Sequence, residues 1–408
     1  MQFKNIIGQA EVKEQLVQMI QNNRLSHALL FLGKEGSGSL SLATAFAQFI
    51  VCENTGSKKQ KVKVAEVSMF GDVEPVVLIQ DSVTATDACG VCSACLKANE
   101  LVHPDIHYSY PVIPRKPGDK PISTDYIKEW REFFAATPYA NVYDWLQFIG
   151  AENKQGNITA TECNDIIRKL NLKSFESEYK ILIMWLPEFL GKEGNKLLKL
   201  IEEPPANTLF LLVAENEEQI LQTIISRTQL VKIPLLTNKE VEIALEKQDI
   251  APDRAQQVAA LSEGNFREAL LLLESAADDW QGLLREWLNA ILKGGPVAQV
   301  KWIDDISKQG REKQKQFVKY FIHLLEQAVR LNAIGDDPQN TQSIAGNERD
   351  FALRLNKLCS LAQQEAIINE LDKASYYIER NANAKMLFHA LSIKLYHIIS
   401  NNSLILVN

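Results

Sequence analysis

Ala28-Leu29-Leu30-Phe31-Leu32-Gly33-Lys34-Glu35-Gly36-Ser37-Gly38-Ser39-Leu40 carries three signals in thirteen residues. A short continuous apolar run reads as a buried strand, and the glycine-rich stretch that follows reads as a tight turn. After it, Leu40, Leu42, Ala43, Phe46, Ala47 and Ile50 trace one face of a helix. Strand, glycine loop and helix form a P-loop-like beginning. A working loop has the pattern G-x-x-x-x-G-K-[ST]: backbone amides cradle phosphates, the lysine reaches the β and γ phosphates, and the hydroxyl holds magnesium. Gly33 and Gly38 fit, but Ser39 stands at the lysine position and Leu40 at the hydroxyl position. Lys34 is at the wrong end of the loop to substitute. A glycine-rich stretch alone is more often a plain turn, so the rest of the chain has to decide.

Working outward, Val12, Leu16, Met19 and Ile20 are spaced for a helix before the strand. Ile181-Leu182-Ile183-Met184-Trp185 and Thr208-Leu209-Phe210-Leu211-Leu212-Val213 are two further buried strands, with a helical segment expected over 194–201. Short apolar strands alternating with helices imply a mostly parallel α/β sheet. A carboxylate pair to complete a magnesium site belongs after the second strand. Trp185, Leu186 and Pro187 occupy that place. Residues 53–88 and about 112–157 exceed a minimal sheet and read as insertions. The first is basic at its start (Lys58, Lys59, Lys61, Lys63) and then alternates like a hairpin; the second is an aromatic helical excursion with Tyr126, Trp130, Phe133, Phe134, Tyr143 and Trp145. From about 237 strand signals fade into a small helical region (Val241, Ala244, Leu245; Ala255, Val258, Leu261). Beyond 278 the apolar stripes Trp280, Leu283, Leu284, Trp287, Leu288, Ile291, Leu292 and Phe317, Phe321, Leu324, Leu325, Ala328 predict helices.

The chain has 408 residues, 46% hydrophobic and 23% charged, enough for two or three domains with their own cores. The start lacks a signal-peptide core and no apolar run approaches a membrane span, so a cytoplasmic protein without membrane contact is expected. A formal charge of −7 disfavours an autonomous nucleic-acid binder. Among six cysteines, Cys89, Cys92 and Cys95 cluster, Cys52 precedes them, and Cys163 and Cys359 stand alone as small core residues. Short thiolate spacing points to a tetrahedral metal, with Cys52 the expected fourth ligand if both ends of the first insertion return to it. His103 or His107 could serve instead. An iron–sulfur cluster lacks a further cysteine after Cys95, Asn99 and Glu100 standing there; metal-free buried thiols are the remaining reading. Four protein ligands would make the zinc structural rather than catalytic.

Phe3-Lys4-Asn5-Ile6-Ile7-Gly8-Gln9, Ser26-His27-Ala28, Cys89-Gly90-Val91-Cys92-Ser93-Ala94-Cys95 and His103-Pro104-Asp105 follow in order. Gly194-Asn195-Lys196-Leu197-Leu198-Lys199-Leu200-Ile201-Glu202-Glu203-Pro204-Pro205 and Thr223-Ile224-Ile225-Ser226-Arg227-Thr228 come after them, then Gly264-Asn265-Phe266-Arg267-Glu268-Ala269-Leu270. Together these motifs resemble the AAA+ clamp-loader family of bacterial DNA polymerase III, over most of residues 1–275 outside the insertions. Asn381-Ala382-Asn383-Ala384-Lys385 is a weaker match to the family's collar. The resemblance implies an α/β AAA+ domain with a zinc module over 1–236, a helical lid over 237–277 and an all-α collar over 278–408. It supports zinc on Cys52, Cys89, Cys92 and Cys95, and implies a sensor-2-like role for Arg267 and an arginine finger acting in trans at Arg227. Thr228 departs from the pattern, where cysteine usually follows Ser-Arg.

Gly33, Gly36, Gly38 and Ser39 then stand as a degenerate phosphate loop. The missing lysine and acidic pair select the family's non-hydrolysing, delta-prime type. The expected partners are ATPase subunits of the gamma/tau type and a delta subunit, with the sliding clamp and primed DNA reached through the complex. Two other readings stay open: an active ATPase with an atypical loop, and a zinc-dependent nucleic-acid-binding module. ATP is expected not to be hydrolysed; whether it binds is open.

Overall fold

The structure, a computed structural model, describes residues 1–55, 60–67, 73–80, 85–116, 118–151, 156–274, 279–334, 346–379 and 382–401. The chain divides into two compact units, Met1–Asp249 with Ser262–Glu268, and Ile250–Leu261 with Ala269–Asn408.

In the first unit the elements run α1 (Ala10–Gln21), β1 (Ala28–Gly33), α2 (Ser39–Val51), β2 (Gln60–Val67), β3 (Val73–Gln80), α3 (Ser93–Asn99), β4 (Ile106–Ser109), α4 (Ile127–Ala136), α5 (Val142–Phe148), α6 (Ala160–Leu170), β5 (Lys180–Trp185), α7 (Leu198–Glu202), β6 (Thr208–Ala214), α8 (Gln222–Ile225), β7 (Gln229–Ile233) and α9 (Asn238–Glu246). Five strands make one parallel sheet in the order β4-β5-β6-β1-β7. The three central strands are the three apolar runs of the sequence. Every residue of β5 and β6 is buried, because a strand inside a parallel sheet is covered on both faces.

Alternation sends neighbouring residues to opposite faces. Leu29, Phe31, Ile183 and Leu211 meet α2 and the aromatic excursion on one side, while Leu30, Leu182, Phe210 and Leu212 meet Ile166 and Leu170 of α6 on the other. The second insertion is therefore part of the core. Trp130 stacks on Tyr110 at 4.0 Å between ring centroids and meets Trp145 edge-on at 5.3 Å. The ends of the excursion are tied by a reciprocal pair: Val112 N donates to Asn157 O at 3.1 Å and Asn157 N to Val112 O at 3.0 Å.

The first insertion contains the antiparallel pair β2–β3. Its basic start at Lys58 and Lys59, the side chains of Lys61 and Lys63, and Asn381 of the collar match lie outside the described residues. The expected helix over 194–201 starts later than its sequence suggests. Pro187–Leu197 forms 3₁₀ turns interrupted at Gly191 (φ 50°, ψ −136°), and only Leu198–Glu202 is α-helical.

The remaining helices are α10 (Pro252–Ser262), α11 (Phe266–Glu274), α12 (Trp280–Asn289), α13 (Gly295–Ser307), α14 (Arg311–Ile334), α15 (Gly346–Leu358), α16 (Leu361–Glu379) and α17 (Ala384–Asn401). In the second unit both apolar stripes of the sequence face one core, where Trp287 stacks on Trp302 at 4.8 Å and meets Phe317, Phe321 and Phe388. Trp287 Nε1 donates to Ser392 Oγ at 2.9 Å, which satisfies the buried indole. Among the described residues no helix is long and apolar enough to cross a membrane.

Candidate functional site

Gly33 closes β1, and α2 starts from Gly38, whose φ of 84° is the left-handed turn that only glycine adopts readily. The loop between them lies at the carboxyl ends of the strands, where parallel sheets carry their ligands. Beside it an open hollow of about 460 Å³ is lined by Gly33 and Lys34, the 215–218 turn and Lys232. Ser39 and Leu40 are both buried in the first turn of α2, and Leu40 belongs to the apolar core. An apolar side chain thus occupies the position where a hydroxyl would hold magnesium.

Arg267 reaches this loop and meets carboxylates there. Its Nη1 donates to Glu35 Oε1 at 3.0 Å, and its Nε and Nη2 donate to Asp144 Oδ2 and Oδ1 at 2.5 and 2.7 Å. The guanidinium is 4% exposed.

At the end of β5, Trp185 and Leu186 are buried, with the Trp185 ring 5.4 Å from Trp130. The nearest acid along the chain, Glu188, accepts from Glu215 N at 2.6 Å and Asn216 N at 2.8 Å. Burial raises its pKa, the two amides opposing. This carboxylate ties the β5 and β6 ends together.

Arg227 follows α8 and is about a third exposed, beside a hollow of about 410 Å³ lined by His27, Glu202 and Ser226. Its Nε donates to Glu202 Oε1 at 2.6 Å and its Nη2 to the same oxygen; Nη1 donates to Thr223 O at 2.7 Å. The guanidinium is held in place from two sides.

The four clustered cysteines converge. Cys52 caps the end of α2, Cys92 caps the start of α3, and the four sulfur atoms lie within 4.8 Å of one another. A tetrahedron with metal–sulfur bonds of about 2.3 Å has edges of ~3.8 Å. Cys89 and Cys95 Sγ stand 3.9 Å apart. Backbone N–H groups of Cys89, Cys92 and Cys95 donate to the sulfurs of Cys52, Cys89 and Cys92 at 3.3, 3.4 and 3.4 Å, the second shell a thiolate cluster needs. The four sulfurs could hold one metal ion.

His103 is turned elsewhere: its Nδ1 accepts from Asp105 N at 3.2 Å and its Nε2 lies 3.3 Å from Glu176. His107 sits on β4 and falls outside the sulfur cluster. Cys163 and Cys359 are buried in separate cores.

The family described as "DNA polymerase III, delta subunit" matches residues 8–75 and 75–237, more than half of the chain. The chain belongs to this family. Within the family it is a delta-prime-like clamp-loader protein. It is 26% identical over 264 residues to the DNA polymerase III subunit delta′ of Bacillus subtilis, covering 65% of this chain and 59% of that one. It is 25% identical over 323 residues to the Haemophilus influenzae delta′ subunit, covering 78% and 75%. The chain thus spans well under two thirds of the length of the Bacillus relative. A DNA polymerase III gamma-subunit-related protein of Thermotoga maritima covers 94% of this chain at 14% identity with a TM-score of 0.34, too low to bear on fold or function.

In this delta-prime-like chain the fold alone sets the partners of several charged residues. Asp105 of the His-Pro-Asp motif accepts from the backbone N–H groups of Phe175, Glu176 and Ser177 at 2.5, 2.9 and 2.7 Å. Lys180 Nζ donates to the carbonyls of Leu170 and Leu172 at 2.5 and 2.6 Å. Both charges are buried and fix the segment between α6 and β5. Only the fold brings Glu35, Asp144 and Glu202 beside their arginines.

Proposed function

We propose that this chain is the non-hydrolysing, delta-prime-type AAA+ subunit of a DNA polymerase III clamp-loader complex. In this reading residues 1–236 form the nucleotide-binding-like module, 237–277 its lid and 278–408 the collar that holds it among gamma/tau-type ATPase subunits and a delta subunit in the cytoplasm. The complex loads a sliding clamp onto primed DNA. One observation carries the reading: where a P-loop ATPase keeps lysine, hydroxyl and carboxylate, this chain has Ser39, buried Leu40 and buried Trp185–Leu186, while Arg227 remains partly exposed.

Arg227 acts in trans on ATP held by a neighbouring subunit, neutralising charge on the transferring phosphate. To do so it exchanges Glu202 for the phosphate, a charge-assisted fork that suits arginine geometry. Cys52, Cys89, Cys92 and Cys95 hold one structural zinc; with four thiolates the shell is closed, and the metal supplies local folding energy and no activated water.

The experiment is ATP turnover by the pure chain and by the reconstituted complex. The pure chain shows none, and the complex turns over ATP only with this chain present. Magnesium-dependent turnover by the pure chain, lost on mutating the 33–39 loop, refutes the proposal.

A further inference from the structure

The proposed function concerns hydrolysis and leaves nucleotide binding open; the contacts around the loop bear on binding itself. Glu35, Gly36, Ser37 and Gly38 of the loop are each met by another part of the first unit. Glu35 receives Asn141 Nδ2 at 2.9 Å, Asn265 Nδ2 at 3.3 Å and Arg267 Nη1 at 3.0 Å. Gly36 O accepts from Phe266 N at 3.2 Å, and Ser37 O from Gln9 Nε2 at 3.2 Å. Tyr139 packs so closely on Gly38 that a Cβ there would lie 2.7 Å from its ring, and a Cβ on Gly36 would lie 1.8 Å from Asn265 Oδ1. The tyrosine is itself fixed, its hydroxyl accepting from Ile7 N at 2.9 Å and its ring meeting Phe266 edge-on at 5.0 Å.

We propose that the 112–157 excursion supplies a resident plug for the degenerate phosphate loop, with Tyr139, Asn141 and Asp144 as its contact residues, so that these contacts keep phosphate out in addition to the lost lysine and hydroxyl. Two features make the plug specific. The first is steric: Asn265 and Tyr139 pack directly against Gly36 and Gly38, closing the loop backbone on those sides. The second is electrostatic. Arg267 is already met by two carboxylates, Glu35 from the loop and Asp144 from the excursion, so an arriving polyanion must compete with both for a cation that is itself buried. Asp144 is held for this role by a reciprocal cap: Asn141 N donates to its Oδ2 at 3.1 Å and its own N donates to Asn141 Oδ1 at 3.0 Å. The excursion thus does mechanical work that a bound nucleotide would otherwise do, bracing the loop.

The test uses the full chain with magnesium–ATP and inorganic tripolyphosphate as probes. Wild-type melting is unchanged by millimolar magnesium–ATP. Asp144→Asn lowers the melting temperature and raises tripolyphosphate affinity about tenfold or more, because one negative charge bonded to Arg267 is gone; Asp144→Asn with Arg267→Ala loses that gain. A variant-free measurement stands beside these: hydrogen exchange at the amides of residues 35–40 in the wild type is already slow and does not change with magnesium–ATP. Wild-type melting raised by magnesium–ATP, added protection of those amides, or Asp144→Asn with unchanged melting and anion affinity overturns the plug.

Discussion

Replacing Arg227 by alanine separates the fold of this chain from its proposed role in the complex. In the isolated protein the guanidinium is 32% exposed and its partner Glu202 45% exposed. A pair so open to water contributes about 0–1 kcal/mol. In a unit of roughly this size 1 kcal/mol moves the melting temperature by about 2–4 °C, so Arg227→Ala should melt no more than ~4 °C below the parent. If Arg227 is a finger, the same change removes a charge-assisted contact made only in the transition state, and fingers of this kind contribute on the order of 10³ to 10⁵ in rate where measured in GTPases. The lower figure corresponds to about 4 kcal/mol of barrier, several times the folding cost. Arg227→Lys should fail to restore the rate, since an ammonium cannot reproduce the two-pronged geometry. Melting of the pure variants and single-turnover ATP hydrolysis by the assembled complex, read at the site adjoining this subunit, measure the two quantities. A fully assembled Arg227→Ala complex with unchanged turnover there would refute the reasoning and leave the Glu202 pair as Arg227's whole purpose.

Elemental analysis should find about one zinc per chain, and its removal or Cys92→Ser should destabilise the first unit, because a four-sulfur site couples metal binding to folding; full zinc retention by Cys92→Ser would count against the assignment. His107 titrates well below its ordinary range, pushed down to about 4 first by burial and then by Lys169. Its contribution to stability is therefore complete above pH ~6.5 and is lost as pH falls toward 4, by no more than about 3 kcal/mol. Urea unfolding across that range should show a steeper acid loss for the parent than for His107→Gln, and parallel profiles would exclude the effect.

The central strands, the glycine loop and the cysteine cluster were legible in the sequence for physical reasons. A strand covered on both faces must be apolar throughout, which is why Leu29–Phe31, Ile181–Trp185 and Leu209–Val213 announce themselves. A phosphate loop is defined by residue types at fixed spacing, so the departures of Ser39 and Leu40 from that pattern are visible without coordinates. Thiolates at short spacing do the same for Cys89, Cys92 and Cys95. The edge strands β4 and β7 were not legible: β7 alternates between exposed and buried positions over only five residues, too short a run to carry a period.

Tertiary structure alone decided what the charges do. Arg267 lies 232 residues from Glu35 and 123 from Asp144, and Arg227 lies 25 from Glu202. Ion pairs across such separations leave no periodic trace, because a single residue on each side suffices to make them. The sequence marks Arg267 and Arg227 as arginines of interest; the fold shows the first buried and paired with two partly exposed carboxylates, and the second paired with one carboxylate at the surface. The 112–157 excursion divides in the same way. Its aromatic composition announces a packed helical segment, while its position against the loop follows only from the sheet that brings Gly38 and Tyr139 together.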